Sequence, residues 1–232
     1  MPSKRYKKAL ELVDGTKVYP LKSAVEVLSR FPKAKFNETV EVAFRLGVDP
    51  KQSDQMVRGS VPLPHGSGKT VRVLVFTRDG NAAEAAKAAG AEFVGFEDMI
   101  KKCQEGWTDF DVAVATPEAM VEVRKLGKVL GPRGLMPNPK TGTVTDDTAK
   151  AVKEVKAGRI EFKVDKAGNV HVPVGKASFA LDQIVENARS VIEAVIKARP
   201  ASVKGQFVQS CTLSATMSPP VRVDIREFLA AT

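Results

Sequence analysis

The stretch that decides the fold is 207–218, FVQSCTLSATMS, near the C-terminal end of the chain. Successive side chains of a β-strand point to opposite faces, so this stretch predicts one strand with two different faces. One face begins with a valine and continues with five hydroxyl side chains: Val208, Ser210, Thr212, Ser214, Thr216 and Ser218. The other face is largely apolar: Phe207, Gln209, Cys211, Leu213, Ala215 and Met217. The pattern indicates a sheet that is covered on one side and open on the other.

The row of hydroxyls has two interpretations. A hydroxyl both donates and accepts hydrogen bonds, so the row could meet phosphate oxygens, sugar hydroxyls and base edges. Alternatively, it is the solvated outer face of an antiparallel sheet, where threonine is a favoured residue. The strand alone favours the second interpretation, and other features of the chain shift the balance.

A second strand is predicted at residues 35–46, where Val40, Val42, Phe44 and Leu46 alternate with polar residues. Lys35 and Phe36 stand at its entrance. Strand parity assigns Phe36 to the core, whereas an exposed aromatic ring beside a lysine could stack on a base. Residues 160–174 predict a hairpin with Lys163 and His171 on polar faces that could share a side of the sheet. A long amphipathic helix over 180–197 and a closing strand over 221–225 follow.

The middle of the chain has a different pattern. From Val71 onward, apolar strands alternate with helices, which predicts a parallel, three-layer α/β unit of Rossmann-like type. The sequence HGSGKT at 65–70 is not a phosphate loop, because Leu63 stands where the motif needs glycine and a strand follows it. The first strand leads into no glycine-rich fingerprint, so no cofactor is expected. The loop over 126–144 is too rich in glycine and proline for regular structure.

Charge is distributed unevenly. The chain has a formal net charge of +9, of which residues 67–158 contribute +1 and the two outer segments +8. A basic bias confined to part of a chain suggests a polyanionic partner for that part. Two cysteines far apart in sequence predict reduced thiols, and only two histidines make a Cys/His metal site improbable. Neither a membrane helix nor a signal peptide is expected.

The outer segments both supply strands and amphipathic helices, and neither alone can close a sheet. We therefore predict an α+β domain built from both chain ends, 1–66 plus 159–232, with 67–158 as an inserted three-layer α/β domain. Two glycine-containing crossings, at Ser67, Gly68 and Gly158, predict a hinge between the two domains.

Several motifs resemble one family: LPHGSGKTVRV, GPRGLMPNPKTGTV, KAGRIEF, HVPVGKASF and KGQFVQS followed by TM. They look like those of the L1 family of large-subunit ribosomal proteins, bacterial type, and the match spans nearly the whole chain. The resemblance implies a hinged, two-domain, cytoplasmic protein, a monomer within the ribosome, with no membrane partner. It implies binding to large-subunit rRNA at the mobile stalk, help in releasing deacylated exit-site tRNA, and repression of its own operon mRNA.

The resemblance also implies RNA-contact residues, carried over by position. They are Lys35, Phe36, Thr39, Ser210, Thr216, Met217 and Ser218, with His171 and Lys176 as weaker candidates. Ser218 departs from the family, which usually has glycine after the Thr-Met pair. Two other classes compete with this interpretation: an enzyme acting on a nucleotide through the inserted unit, and a protein-interaction adaptor. No catalytic residue is assigned, because the chain shows no nucleophile–base pair.

Overall fold

The computed structural model describes residues 3–229, apart from the side chain of Lys140. The strands are β1 Thr39–Leu46, β2 Arg58–Pro62, β3 Val73–Phe76, β4 Phe93–Gly95, β5 Val112–Ala115, β6 Arg159–Lys163, β7 Asn169–Lys176, β8 Val208–Ala215 and β9 Val221–Arg222. The helices are α1 Lys4–Glu11, α2 Leu21–Ser29, α3 Gly80–Ala88, α4 Glu97–Gln104, α5 Met120–Val123, α6 Gly127–Leu130, α7 Thr148–Lys156, α8 Leu181–Lys197 and α9 Arg226–Leu229. The outermost residues of the predicted outer segments, 1–2 and 230–232, lie outside the described residues.

Packing divides the chain into two compact units. One joins the N-terminal segment up to Gly68 to the C-terminal segment from Ile160, and the other spans Lys69–Arg159. We call these the outer unit and the inner unit. Both contain helices and strands, which agrees with the mixed α and β fold class expected from the sequence.

The outer unit is organised by a four-stranded sheet in the order β7-β1-β8-β9. β1 comes from the N-terminal segment and pairs antiparallel with β7 on one side and β8 on the other, both from the C-terminal segment. Residues from one end of the chain thus stand between residues from the other end. The sheet needs both segments, because removing β1 would leave β7 and β8 without a shared neighbour.

One face of this sheet is covered and the other is open. Val40, Val42, Phe44 and Leu46 are buried as the alternation predicts, while the residues between them are half-buried or exposed. α2 and α8 cover the buried face, and the apolar stripe of α8 from Ile184 to Ile196 supplies much of the core. The arrangement is typical of an antiparallel sheet with one solvated face.

A bulge changes the predicted faces of β8. Arg45 opposes Ser210 whereas Leu46 opposes Val208, so Gln209 is the extra residue. Val208 is therefore buried and Gln209 is exposed, the reverse of the simple alternation. The strand also ends at Ala215, so its hydroxyl row consists of Ser210, Thr212 and Ser214 only. The expectation of a continuous five-hydroxyl ladder is wrong, because Thr216 and Ser218 lie beyond the strand.

The predicted hairpin over 160–174 is also wrong. β6 pairs with β2 in a separate two-stranded sheet, whereas β7 pairs with β1. A tight turn does join them, since the Gly168 N–H donates to the Asp165 carbonyl (3.2 Å), but the strands then diverge. Lys163 and His171 consequently do not share a side of one sheet. Alternation identified both strands but carried no information on their partners.

The inner unit is a parallel sheet in the order β4-β3-β5 with helices on both faces. Leu74 and Phe76 face a cluster that includes α4 residues such as Ile100 and Cys103. Val73 and Val75 face α3 and α7. Strands buried on both sides read as continuous apolar runs, which is the pattern that predicted this three-layer unit.

The loop before α7 is closed by threonine hydroxyls. The Asn138 N–H donates to Thr143 Oγ1 (2.8 Å), and the hydroxyls of Thr141 and Thr143 donate to the Asn138 carbonyl (3.1 and 3.2 Å). Both threonines are buried. Short helical turns, among them α6, interrupt this stretch, so it contains more regular structure than its glycine and proline content suggests.

Candidate nucleic-acid interface

One end of the four-stranded sheet brings several of the predicted RNA contacts together. β1 begins at Thr39, which pairs with Lys176 at the end of β7. β8 ends at Ala215 opposite Val40, so the following turn starts beside Thr39. We call this region, comprising Thr39, Lys176 and the turn 215–218, the sheet end.

Hydrogen bonds join three predicted contact residues at the sheet end. Lys176 Nζ donates to Thr39 Oγ1 (2.8 Å). The Thr39 N–H donates to Thr216 Oγ1 (3.0 Å), and the Thr216 hydroxyl donates to the Thr39 carbonyl (3.3 Å). The Thr216 N–H also donates to the Thr39 carbonyl (3.1 Å), so Thr216 continues the pairing of β1 and β8 with both its backbone and its side chain after the strand has ended.

These bonds limit what the Thr216 hydroxyl can do. A hydroxyl has one donor and two acceptor positions, and here the donor and one acceptor position are used. The remaining lone pair can only accept. An RNA group that meets this oxygen must therefore be a donor, such as a 2′-hydroxyl or a base N–H, and not a phosphate oxygen.

The turn 215–218 accommodates serine at the position where the resemblance led us to expect glycine. The Ser218 N–H donates to the Ala215 carbonyl (3.0 Å), and Ser218 Oγ accepts from the Ala215 N–H (2.8 Å). Ser218 has no positive φ, so the position does not require glycine conformationally. Its hydroxyl is hydrogen-bonded within its own turn, whereas the apolar side chain of Met217 is 53% accessible to solvent.

Phe36 is exposed rather than part of the core. β1 begins only at Thr39, so the strand parity that would bury Phe36 does not extend to it. Its side chain is 54% accessible, and its neighbour Lys35 is also exposed. An exposed aromatic ring beside a cation has the arrangement that base stacking requires.

His171 and Ser210 lie elsewhere on the open face of the sheet. His171 opposes Ala43 in the middle of β1, and Ser210 opposes Arg45 near its far end. Along β8, Ser210 and Thr216 are separated by six residues, which corresponds to roughly 20 Å in a strand. The structure therefore does not bring these two residues into the cluster at the sheet end.

Exposed charges surround the sheet end. Exposed lysines are found on α1 and on the loop before β1: Lys4, Lys7, Lys8, Lys33 and Lys35. The open face carries charges of both signs: Glu41 opposite Ser214, Arg45 opposite Ser210 and Arg222 opposite Thr212. The exposed lysines therefore attract a polyanion to the region of the sheet end.

Arg5 belongs to the site but was not assigned to it from the sequence. Its guanidinium donates to the Pro32 carbonyl (3.1 Å), Glu38 Oε1 (3.4 Å) and the Met217 carbonyl (3.0 Å). The sequence shows Arg5 only as one of a group of basic residues on the first helix. Its three acceptors are up to 212 residues away along the chain, so only the fold brings them together.

Comparison with known proteins decides the family. The sequence pattern of the ribosomal protein L1p/L10e family matches residues 28–219. The large ribosomal subunit protein uL1 of Persephonella marina is 58% identical over 230 residues, covering 97% of this chain and 95% of that protein. The protein of the same name from Chlorobium phaeobacteroides is 55% identical over 99% of this chain and all of its own length.

The chain belongs to the ribosomal protein L1p/L10e family. The resemblance inferred from the motifs is therefore confirmed. As a member of the L1p/L10e family it is a structural protein and not an enzyme. The enzyme interpretation of the inner unit is thereby excluded.

Both cysteines are free and buried, and burial raises the pKa of the Cys211 thiol to about 12. Within residues 3–229, no group of three or more His, Cys, Asp or Glu side chains is placed to hold a metal ion. Over the same residues, no helix is both long and apolar enough to cross a membrane.

The segment before the first crossing is tied to the outer unit. Asn187, which is fully buried on α8, accepts from the His65 N–H (3.1 Å) and donates to the carbonyls of Gly66 (3.0 Å) and Val174 (2.8 Å). Gly68 has φ +68°, and a Cβ there would meet the side chains of Lys176 and Phe179 at 2.9 Å. Glycine at position 68 therefore lets the backbone pass close to these two side chains.

Proposed function

We propose that this L1p/L10e protein, a structural component of the large ribosomal subunit, binds large-subunit rRNA through the sheet end of its outer unit. One observation carries the proposal. Lys176, Thr39 and Thr216 form a hydrogen-bonded cluster beside two exposed apolar side chains, Phe36 and Met217. RNA binding combines these chemistries, because cations attract the backbone, hydroxyls meet 2′-hydroxyl groups, and rings or thioethers stack on unpaired bases.

His171 and Ser210 extend the proposed surface along the open face. Because they are remote from the sheet end, they would contact a different part of the same RNA. Ser218 acts differently from the other proposed contacts, since its hydroxyl is bound within the turn. We propose that it shapes the turn that presents Met217 and leaves the contact itself to its neighbours.

The proposed RNA site lies at the mobile stalk of the cytoplasmic ribosome, beside the tRNA exit site. There the protein would assist the release of deacylated tRNA. The same sheet end would bind the mRNA of the protein's own operon and repress its translation, since an mRNA that mimics the rRNA site must satisfy the same side chains. The family motifs support these finer roles.

We further propose that the two units correspond to two functional domains. The outer domain, 1–66 plus 159–232, carries the excess positive charge and the whole RNA surface. The inserted domain, 67–158, would change its angle at a hinge formed by Ser67, Gly68 and Gly158. Positive φ angles at Gly68 (+68°) and Gly158 (+103°) support glycine as the residue of choice at both crossings.

Filter binding of the full chain to large-subunit rRNA fragments tests the central proposal. A stalk fragment should bind at least a hundredfold more tightly than a fragment of equal length from elsewhere in the same rRNA. Affinity should fall as salt rises, because bound lysines release counterions. An operon mRNA leader should compete for the same site. Equal affinity for both rRNA fragments would reduce the interaction to general attraction between a basic protein and RNA.

A further inference from the structure

Arg5 connects three segments of the outer unit. It lies in the first turn of α1, which begins after the N-cap Ser3. Its acceptors are the Pro32 carbonyl after α2, the Glu38 carboxylate just before β1, and the Met217 carbonyl in the turn after β8. The residue thus joins the N-terminal helix to both of the segments that present the exposed apolar side chains.

The chemistry of arginine suits this connection. A guanidinium presents several N–H donors in a rigid plane, so it can serve acceptors in different directions, whereas a lysine ammonium is a compact point charge. Glu38 is only 5% exposed, and its other oxygen accepts from the Ala34 N–H (3.4 Å). A buried carboxylate needs a charged partner, which Arg5 supplies.

Arg5 adds to the hydrogen bonds that hold the backbone of both segments, such as those from Asn37 Nδ2 to Ser178 Oγ (3.0 Å) and from the Ala215 N–H to Ser218 Oγ (2.8 Å). Phe36 lies between Pro32 and Glu38, and both of these residues are bonded to Arg5. Met217 offers its carbonyl to Arg5 while its side chain stands in solvent. An exposed side chain has few packing contacts, so the geometry of its backbone decides where it points. Holding that backbone before binding reduces the ordering cost of association.

We propose that Arg5 is a positioning residue of the RNA interface, which holds the Phe36 loop and the Met217 turn in the arrangement that RNA needs without itself touching RNA. This inference rests on the proposed rRNA-binding function. It makes α1 a supporting element of the interface. It also assigns a specific role to Arg5, which the sequence showed only as one of several basic residues on this helix.

The test uses the full chain with four changes. Arg5→Met removes the guanidinium and leaves the buried Glu38 carboxylate without its charged partner. Arg5→Lys keeps the positive charge but removes the planar set of N–H donors. The double variant Arg5→Met/Glu38→Met removes both members of the buried pair. Lys197→Met is the matched control, because it removes one positive charge from an exposed helical position, at the end of α8, that the proposed interface does not include.

Melting temperature, affinity for the stalk rRNA fragment and the dependence of affinity on salt are measured for each variant. Arg5→Met should melt earlier and bind about tenfold more weakly, with the salt dependence of the wild type, because no phosphate contact is lost. The double variant should regain melting temperature but not affinity. Arg5→Lys should also bind more weakly, whereas Lys197→Met should stay within about twofold of the wild type.

Three outcomes overturn the inference while leaving RNA binding intact. Recovery of affinity together with stability in the double variant would make Arg5 a structural residue only. A salt slope flattened by about 0.7 to 0.9 in Arg5→Met would show direct phosphate contact. Affinity unchanged in every Arg5 variant would remove any role in binding. A wild type without preference for the stalk fragment would refute the proposed function, and the positioning role with it.

Discussion

Replacing Thr216 by valine separates the structural role of its hydroxyl from its proposed role in binding. Valine keeps the shape of the side chain and removes the oxygen that accepts from the Thr39 N–H and donates to the Thr39 carbonyl. A neutral hydrogen bond contributes about 1 kcal/mol net to stability. In the valine variant, water can partly replace the lost bonds to the Thr39 N–H and carbonyl, because the side chain at 216 is exposed. We therefore expect a loss of about 1 kcal/mol in the free energy of unfolding, or ~2–4 °C in melting temperature.

The effect on RNA affinity should be at least as large. In the proposed interface the lone pair of Thr216 accepts from an RNA donor in a site from which water is excluded, so the valine variant would leave that donor unsatisfied. Such a loss costs on the order of 1–3 kcal/mol, or roughly tenfold or more in affinity. The salt dependence should not change, because the valine variant keeps every charge.

Thr212→Val is the matched control for this experiment. It makes the same chemical change within β8, four residues before Thr216, at a hydroxyl whose bond to the Ala43 carbonyl is long (3.4 Å). Equilibrium denaturation and filter binding are measured on both variants, and an RNA with a single 2′-deoxy substitution at the contact identifies the donor. If Thr216→Val lost stability but bound RNA within twofold of the wild type, the hydroxyl would be purely structural.

Three further predictions concern the units and their charges. A chain of 1–66 joined by a short linker to 159–232 should fold and bind rRNA nearly as well as the whole protein; binding no tighter than an unrelated basic protein would refute the domain assignment. Fluorophores on the two units should report a broad distance distribution in the free protein, and a single narrow distance unchanged by RNA would count against a hinge. The hydrogen bond from the Lys69 ammonium, and to a smaller extent the one from the Arg72 N–H, lower the pKa of Asp111. The ionised carboxylate therefore stabilises the fold above pH ~4, and this stabilisation is lost as the pH falls through the pKa of the folded state. Asp111→Asn should therefore differ most from wild type in urea denaturation at neutral pH, and a difference that did not shrink in acid would contradict this linkage.

The sequence by itself determined the local features of the protein. Alternation over 40–46 identified the buried face of β1, because side-chain direction in a strand depends only on position along it. The apolar stripe of α8 and the continuous apolar runs of β3 and β5 also predicted which of their residues are buried, because the periodicity of an element fixes the direction of its side chains. The excess of positive charge in the two outer segments and the sequence motifs indicated an RNA-binding ribosomal protein. Both can be found without a structure, because they depend only on which residues the chain contains and in which order.

Only the tertiary structure decided which of these elements meet. The placement of β1 between β7 and β8, the bulge at Gln209 and the end of β8 before Thr216 all depend on pairing between distant segments. The hydroxyls of Thr216 and Ser218 looked alike in sequence, yet one bonds to Thr39, 177 residues away, and the other to its own turn. Arg5 became part of the site through the Met217 carbonyl in the same way. Periodicity encodes the face of an element, whereas a hydrogen bond between distant residues exists only after the chain has folded.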